Sequence, residues 1–62
     1  MTNLIRLPKV MRKTGLARST VYWMIANDKF PKQINISPRV SVWKESDIDN
    51  WIEEQIKMNE VA

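Results

Sequence analysis

Arg18, Ser19 and Thr20 follow shortly after Gly15, the only glycine among 62 residues, and directly precede the apolar run from Val21 to Ile25. An arginine side chain is a planar fork of donors that can bridge two acceptors on a guanine edge or grip a phosphate. The hydroxyls of Ser19 and Thr20 are short enough to let a backbone approach closely. At the start of a helix, free N–H groups and a partial positive charge add their own attraction for phosphate. Such residues recognise; they do not make or break bonds. The chain has no histidine and no cysteine, so it lacks the commonest general base, the commonest metal ligand and any thiolate. No catalytic residue, metal ligand or cofactor is expected, and an enzyme is not. A structural alternative for the same stretch is a capped helix in a small α-rich domain.

Charge is unevenly divided. Residues 1–44 hold nine Lys/Arg against the single acid Asp28, a net of +8, whereas residues 45–62 hold Lys57 against six acids, a net of −5. A basic half joined to an acidic half suggests a polyanion-binding surface paired with a solvating or protein-facing one. Scattered basic residues that serve solubility are the plainer alternative. No apolar run approaches the roughly 18 residues of a membrane span. Lack of cysteine suits a reducing cytoplasm, which is the expected location, with no membrane partner.

The elements that position these residues are legible in the spacing. Pro8 suits a first helical position, and Leu7, Val10 and Met11 fall at i, i+3 and i+4, which predicts a helix over 8–14. Gly15 then supplies the left-handed residue that such a helix needs at its end. Val21, Met24 and Ile25 predict a second helix from Ala17 or Arg18, ended by Asn27, Asp28 and Pro31. Two short helices joined by a few residues with a glycine are the sequence form of a helix-turn-helix. Residues 33–36 and 40–43 are short β-prone runs around Ser37-Pro38-Arg39, which predicts a hairpin. Ser46 with Asp49 resembles a capping box, and Ile48, Trp51, Ile52 and Ile56 form an apolar helical stripe after it. The expected fold class is mainly α with a small β-hairpin, a winged helix-turn-helix in the order helix, helix, hairpin, helix. One domain over 4–58 is expected, with flexible tails at 1–3 and 59–62 and fraying from Met58.

In such an architecture the hairpin lies beside the second helix, and its tip can reach DNA backbone or minor groove. Arg39 at the turn, between Ser37 and Ser41, fits that tip. The stretches "RLPKVMRKTGLARSTVYWMI", "FPK" and "PRVSVWKESDIDNWI" resemble the AlpA-like family of small phage and prophage regulators, winged-helix relatives of MerR-like and excisionase DNA-binding domains. The resemblance runs from about Leu4 to Ile56. Its specific pieces, in order, are Thr-Gly-Leu with Arg-Ser-Thr and Tyr, then Phe-Pro, then Trp before Glu-Ser-Asp. It implies a sequence-specific regulator that binds double-stranded DNA in an integrated element, often at an integrase gene, or an excisionase that bends DNA. Further copies of the chain, integrase and RNA polymerase are the other partners it suggests.

By position, the resemblance implies that Arg18, Ser19, Thr20 and Tyr22 face DNA, with Arg39 on the wing. Lys29 and Ser41 are further candidate DNA contacts. Lys9, Arg12 and Lys13 either meet phosphates or form the solvated face of the first helix; Lys9 and Lys13 are retained as candidates. Trp23 either packs on sugar or a thymine methyl, anchors a protein contact, or partly covers the hairpin, while Trp43 and Trp51 are expected in the core. Three positions depart from the family pattern: Ala17 replaces a serine cap, Asn27-Asp28 replace a glycine, and Val42 replaces a glycine before Trp43. Asn27 is the residue expected to tolerate a left-handed turn there. A protein-interaction module built on the acidic helix and Trp23 is the alternative from another class.

Overall fold

A computed structural model describes residues 3–60. The elements are β1 (Leu4–Arg6), α1 (Leu7–Thr14), α2 (Arg18–Ala26), β2 (Ile34–Ser37), β3 (Val40–Lys44) and α3 (Glu45–Glu60). Three helices therefore accompany a small antiparallel sheet, with helix, helix, hairpin and helix in the expected order. The sheet, however, has a third strand. Its order is β1-β3-β2, and Leu4, Ile5 and Arg6 pair with Lys44, Trp43 and Val42. A two-stranded hairpin is marginal in water, and β1 makes β3 a central strand with partners on both sides.

Each helix end has a local cause. The first helix starts at Leu7, one residue before the expected Pro8, and ends where Gly15 takes φ 73° and donates its N–H to Met11 O at 2.8 Å. The second ends in a Schellman arrangement: Asp28 N–H donates to Ile25 O and Lys29 N–H to Met24 O. The left-handed residue there is Asp28, at φ 57°, not Asn27. Asn27 instead turns its side-chain amide onto Trp23 O at 2.7 Å. The third helix begins at Glu45, directly from β3, so Ser46 lies inside its first turn and is not the cap. Its first amide, Glu45 N–H, donates to Asn3 O at 2.8 Å. Pairing, not a side-chain cap, starts this helix, because β1 carries Asn3 to its end. The helix continues through Met58 to Glu60, past the expected fraying point. Of the tails expected at either end, residues 1, 2, 61 and 62 lie outside the described residues.

Ile5, Leu7, Val10, Val21, Phe30, Trp43 and Ile48 form the core, with Trp51 and Ile52 partly buried against it. Trp43 Nε1–H donates to Pro31 O at 2.9 Å, and Trp51 Nε1–H donates to Lys29 O at 2.8 Å. The Phe30 ring meets Trp51 edge-on, with centroids 4.7 Å apart. Two indoles thus pin the loop between α2 and β2, satisfying its carbonyls while burying apolar surface. Ile56, the last residue of the expected stripe, is 50% exposed and outside this core. Among the described residues no helix is long and apolar enough to cross a membrane.

Candidate nucleic-acid interface

The turn between α1 and α2 is held on both sides of its glycine. Thr14 Oγ1 donates to Val10 O at 2.8 Å and accepts the Leu16 N–H at 3.3 Å. A Cβ on Gly15 would meet no atom within 4 Å, so the positive φ, not crowding, is what favours glycine there. Leaving this turn, Ala17 is extended (φ −74°, ψ 158°) and offers no side-chain cap. Val21 N–H donates to Ala17 O at 3.0 Å, closing the first helical turn. The amides of Arg18, Ser19 and Thr20 precede that bond and have no carbonyl four residues back within the helix. With alanine in place of a serine cap, these donors stay open to an outside acceptor.

Val21 faces fully inward, with Met24 and Ile25 partly buried beside it, while Arg18, Ser19, Thr20, Tyr22 and Trp23 are all exposed. The second helix therefore divides into an anchoring face and a free polar-aromatic face. Beside it, Ser37 pairs with Val40 and leaves Pro38-Arg39 as a two-residue tip between β2 and β3. Asn35 and Ser37 flank an irregularity in that pairing, and Ser41 Oγ donates to Asn35 Oδ1 at 2.8 Å across the hairpin. This bond ties the two strands together just below Arg39.

Arg18 and Tyr22 of α2, Arg39 and Ser41 of the hairpin, and Arg6 and Pro8 at the start of α1 line one open groove of about 270 Å³. Four of the ten sequence-derived candidates thus converge. Arg6 is a fifth polar lining residue that the sequence did not single out; its signal is the basic half, but its place depends on β1. Ser19, Thr20 and Trp23 line a neighbouring open depression of about 320 Å³ along α2. Lys29 Nζ lies 5.4 Å from the Trp23 ring centroid, a cation–π distance,. Trp23 is 58% exposed, and no hairpin residue lines its depression. The hairpin lies across the Arg18–Tyr22 side of α2.

Lys9 and Lys13 are placed elsewhere. Lys13 Nζ contacts Glu45 Oε2 at 2.9 Å and Asp49 Oδ1 at 2.6 Å, and Lys9 Nζ reaches Glu45 Oε2 at 3.5 Å. Hydrogen bonds to Asp49 and then Glu45 raise the Lys13 pKa above its ordinary value. Hydrogen bonds from Lys13 and Asn3 lower that of Glu45. These lysines tie α1 to α3 and are not brought to the groove.

An α1–turn–α2 unit with a hairpin beside its second helix, and arginines on both, defines a small winged helix-turn-helix protein. The chain belongs to the family of the prophage CP4-57 regulatory protein (AlpA), whose model matches residues 3–56. It is 34% identical over 61 residues to the DNA-binding transcriptional activator AlpA of Escherichia coli (strain K12), covering 89% of this chain and 87% of that protein. It is also 35% identical over 48 residues to the uncharacterized protein ORF88 of Enterobacteria phage P4, covering 77% of this chain. The match spans about half, 54%, of that phage protein's length. No solved structure is a significant match to the chain.

Proposed function

We propose that the chain is a sequence-specific double-stranded DNA-binding protein that regulates transcription in a prophage or integrative element, at an integrase or excision locus. One observation carries this: Arg6, Arg18, Tyr22, Arg39 and Ser41 meet in a single groove between the start of α2 and the hairpin. The membership of the AlpA family and the likeness to a DNA-binding transcriptional activator support it. The exposed face of α2 enters a major groove, which is wide enough for a helix. Arg18 reads a base edge or clamps a phosphate, the open amides before Val21 donate to phosphate oxygens, and Ser19 and Thr20 keep the approach short. Arg39 on the hairpin tip and Arg6 grip the flanking backbone, with Lys29 beside Trp23 extending the contact along α2. Lys9 and Lys13 lie against the acids of α3, away from the groove, and are left out of the DNA set.

The protein works by binding alone, without catalysis or a cofactor, in the cytoplasm where the element's DNA lies. A module of this size covers roughly 600–1,000 Å² on DNA, which favours repeated sites filled by several copies. Integrase and RNA polymerase are the protein partners that such a locus offers. The test is selection of sheared genomic DNA from the host element by the purified protein at two salt concentrations, followed by sequencing. Discrete sites that persist at the higher salt and are lost with Arg18→Ala are the expected result. Uniform recovery that disappears with salt would refute sequence-specific regulation.

A further inference from the structure

The sheet has a second face that the core does not use. Ile5 and Trp43 are cross-strand partners and both point into the core. Alternation places the other partners on the opposite face: Leu4 beside Lys44, and Val42 between Arg6 and Ile34,. Val42 is 4% exposed yet lies outside the core cluster, which marks this outer face as apolar in its own right. Leu4 is 49% and Ile34 42% exposed on it. Lys44 and Arg6 border it, and among the described residues neither forms an ion pair with an acid.

A complementary surface lies at the far end of α3. Ile56 is 50% exposed, and its neighbours three and four residues away include Ile52, Glu53 and Glu60. Ile56 lies eleven residues along the helix from Glu45, about 16 Å. A rigid helix that starts beside Leu4 cannot return its far end to the same sheet. Two outer sheet faces packed together would oppose Lys44 and Arg6 with their own copies. Two helix ends packed together would oppose Glu53 and Glu60 in the same way. The mixed pairing joins apolar to apolar and sets Glu53 and Glu60 against Lys44, whereas in a pairing of two helix ends only Lys57 would offset the acids.

We propose that the outer sheet face at Leu4, Ile34 and Lys44 docks the end of α3, at Ile56, Glu53 and Glu60, from a second copy of this chain. The contact is heterologous, so it lines copies up head to tail instead of pairing them about a two-fold axis. Its surfaces are a few side chains each, whereas a stable complex buries roughly 1,200 Å² or more. It therefore acts when DNA holds neighbours close and raises their effective concentration. The molecule measures 41 × 28 × 19 Å, comparable with the roughly 34 Å of one DNA turn. Copies then occupy direct repeats about one turn apart, not inverted ones. Leu4, Ile34, Lys44 and the end of α3 do not line the groove of Arg18 and Arg39, which takes only Arg6 from the edge of this face, so the docking residues stay free on DNA. This row of copies rests on the DNA-binding function proposed above.

The experiment compares duplexes carrying one or two directly repeated copies of the selected site, spaced one turn apart. The wild-type chain is expected to fill the second site about tenfold more tightly than the first. Lys44→Glu and Glu53→Lys should each abolish that gain, and the double variant, whose net charge equals that of the wild type, should restore it. Ile56→Ser should abolish it with single-site affinity unchanged, circular dichroism verifying the fold. Equal affinity for both sites, or a gain indifferent to all three substitutions, overturns the docking and leaves DNA binding intact. If neither duplex is bound, the DNA function fails, and docking is judged without DNA. Leu4→Cys and Ile56→Cys chains, mixed in equal amounts at about 1 mM where weak contacts are populated and oxidised, should then form mixed dimers well beyond the share that random pairing gives. A statistical mixture would overturn it.

Discussion

Salt dependence of DNA binding tests how the structure divides the cations of the basic half. Arg6, Arg18 and Arg39 line the groove and Lys29 lies beside Trp23, four exposed cations on the proposed DNA side. Lys9 and Lys13 are held by Glu45 and Asp49. Each phosphate neutralised contributes about −0.9 to the slope of log affinity against log salt. Four contacts give about −3.6, and adding the two lysines would give about −5.4. Between 50 and 200 mM salt the first slope lowers affinity by roughly a hundredfold and the second by nearly two thousandfold. Fluorescence anisotropy on a labelled single-site duplex, at several KCl concentrations, measures the slope directly. Arg39→Ala should flatten it by about 0.9, while Lys13→Ala should leave it unchanged. A wild-type slope near −5, flattened by Lys13→Ala and untouched by Arg39→Ala, would refute the assignment of cations made from the groove.

Gly15→Ala should destabilise the protein by about 1–2 kcal/mol in urea unfolding, since only the left-handed backbone opposes a side chain there,. Gly15→Asn should cost less; a loss above about 3 kcal/mol would mean that space, not φ, favours glycine. Glu45 has a lowered carboxyl pKa because Lys13 and Asn3 hydrogen-bond its charged form. Its contribution to stability is present above the ordinary value of 4.5 and is lost as pH falls through the lower folded value,. Glu45→Gln should therefore flatten the fall in thermal midpoint between neutral and strongly acid solution, and identical acid limbs would count against the α1–α3 tie. Trp43 is 1% exposed, and Trp43→Ala should cost about 3–5 kcal/mol, a large part of the roughly 3–9 kcal/mol available to a chain this short. Circular dichroism should show that variant largely unfolded and Trp43→Phe still folded.

Ala17 links the stability of α2 to its function. A serine cap would satisfy one of the free amides at the start of that helix at a gain of about 1 kcal/mol. Without it, the turn at Gly15 and the burial of Val21 must hold the helix start in place. The same amides are then available to a phosphate, so binding stabilises the end that the sequence leaves uncapped.

Periodicity made α1, α2 and the core face of α3 readable, because a buried stripe repeats every 3.6 residues whatever it packs against. Gly15 was readable as a left-handed turn for the same local reason, and so was the hairpin, from two β-prone runs around a proline. The absence of histidine and cysteine, and the basic half beside an acidic half, already pointed towards recognition of a polyanion. The tertiary structure alone decided what depends on distant partners. Leu4, Ile5 and Arg6 are too few for any period, and only pairing with β3 makes them a strand. That pairing starts α3 at Glu45 instead of Ser46 and brings Arg6 to the groove. Lys9 and Lys13 read as free cations in the chain, but Glu45 and Asp49, more than thirty residues later, claim them. Spacing placed Ile56 on the apolar stripe, yet α3 outruns the sheet and core it packs against. Local sequence carries helix phase and turn chemistry, whereas which charges pair and which apolar residues stay exposed depends on contacts between distant parts of the chain.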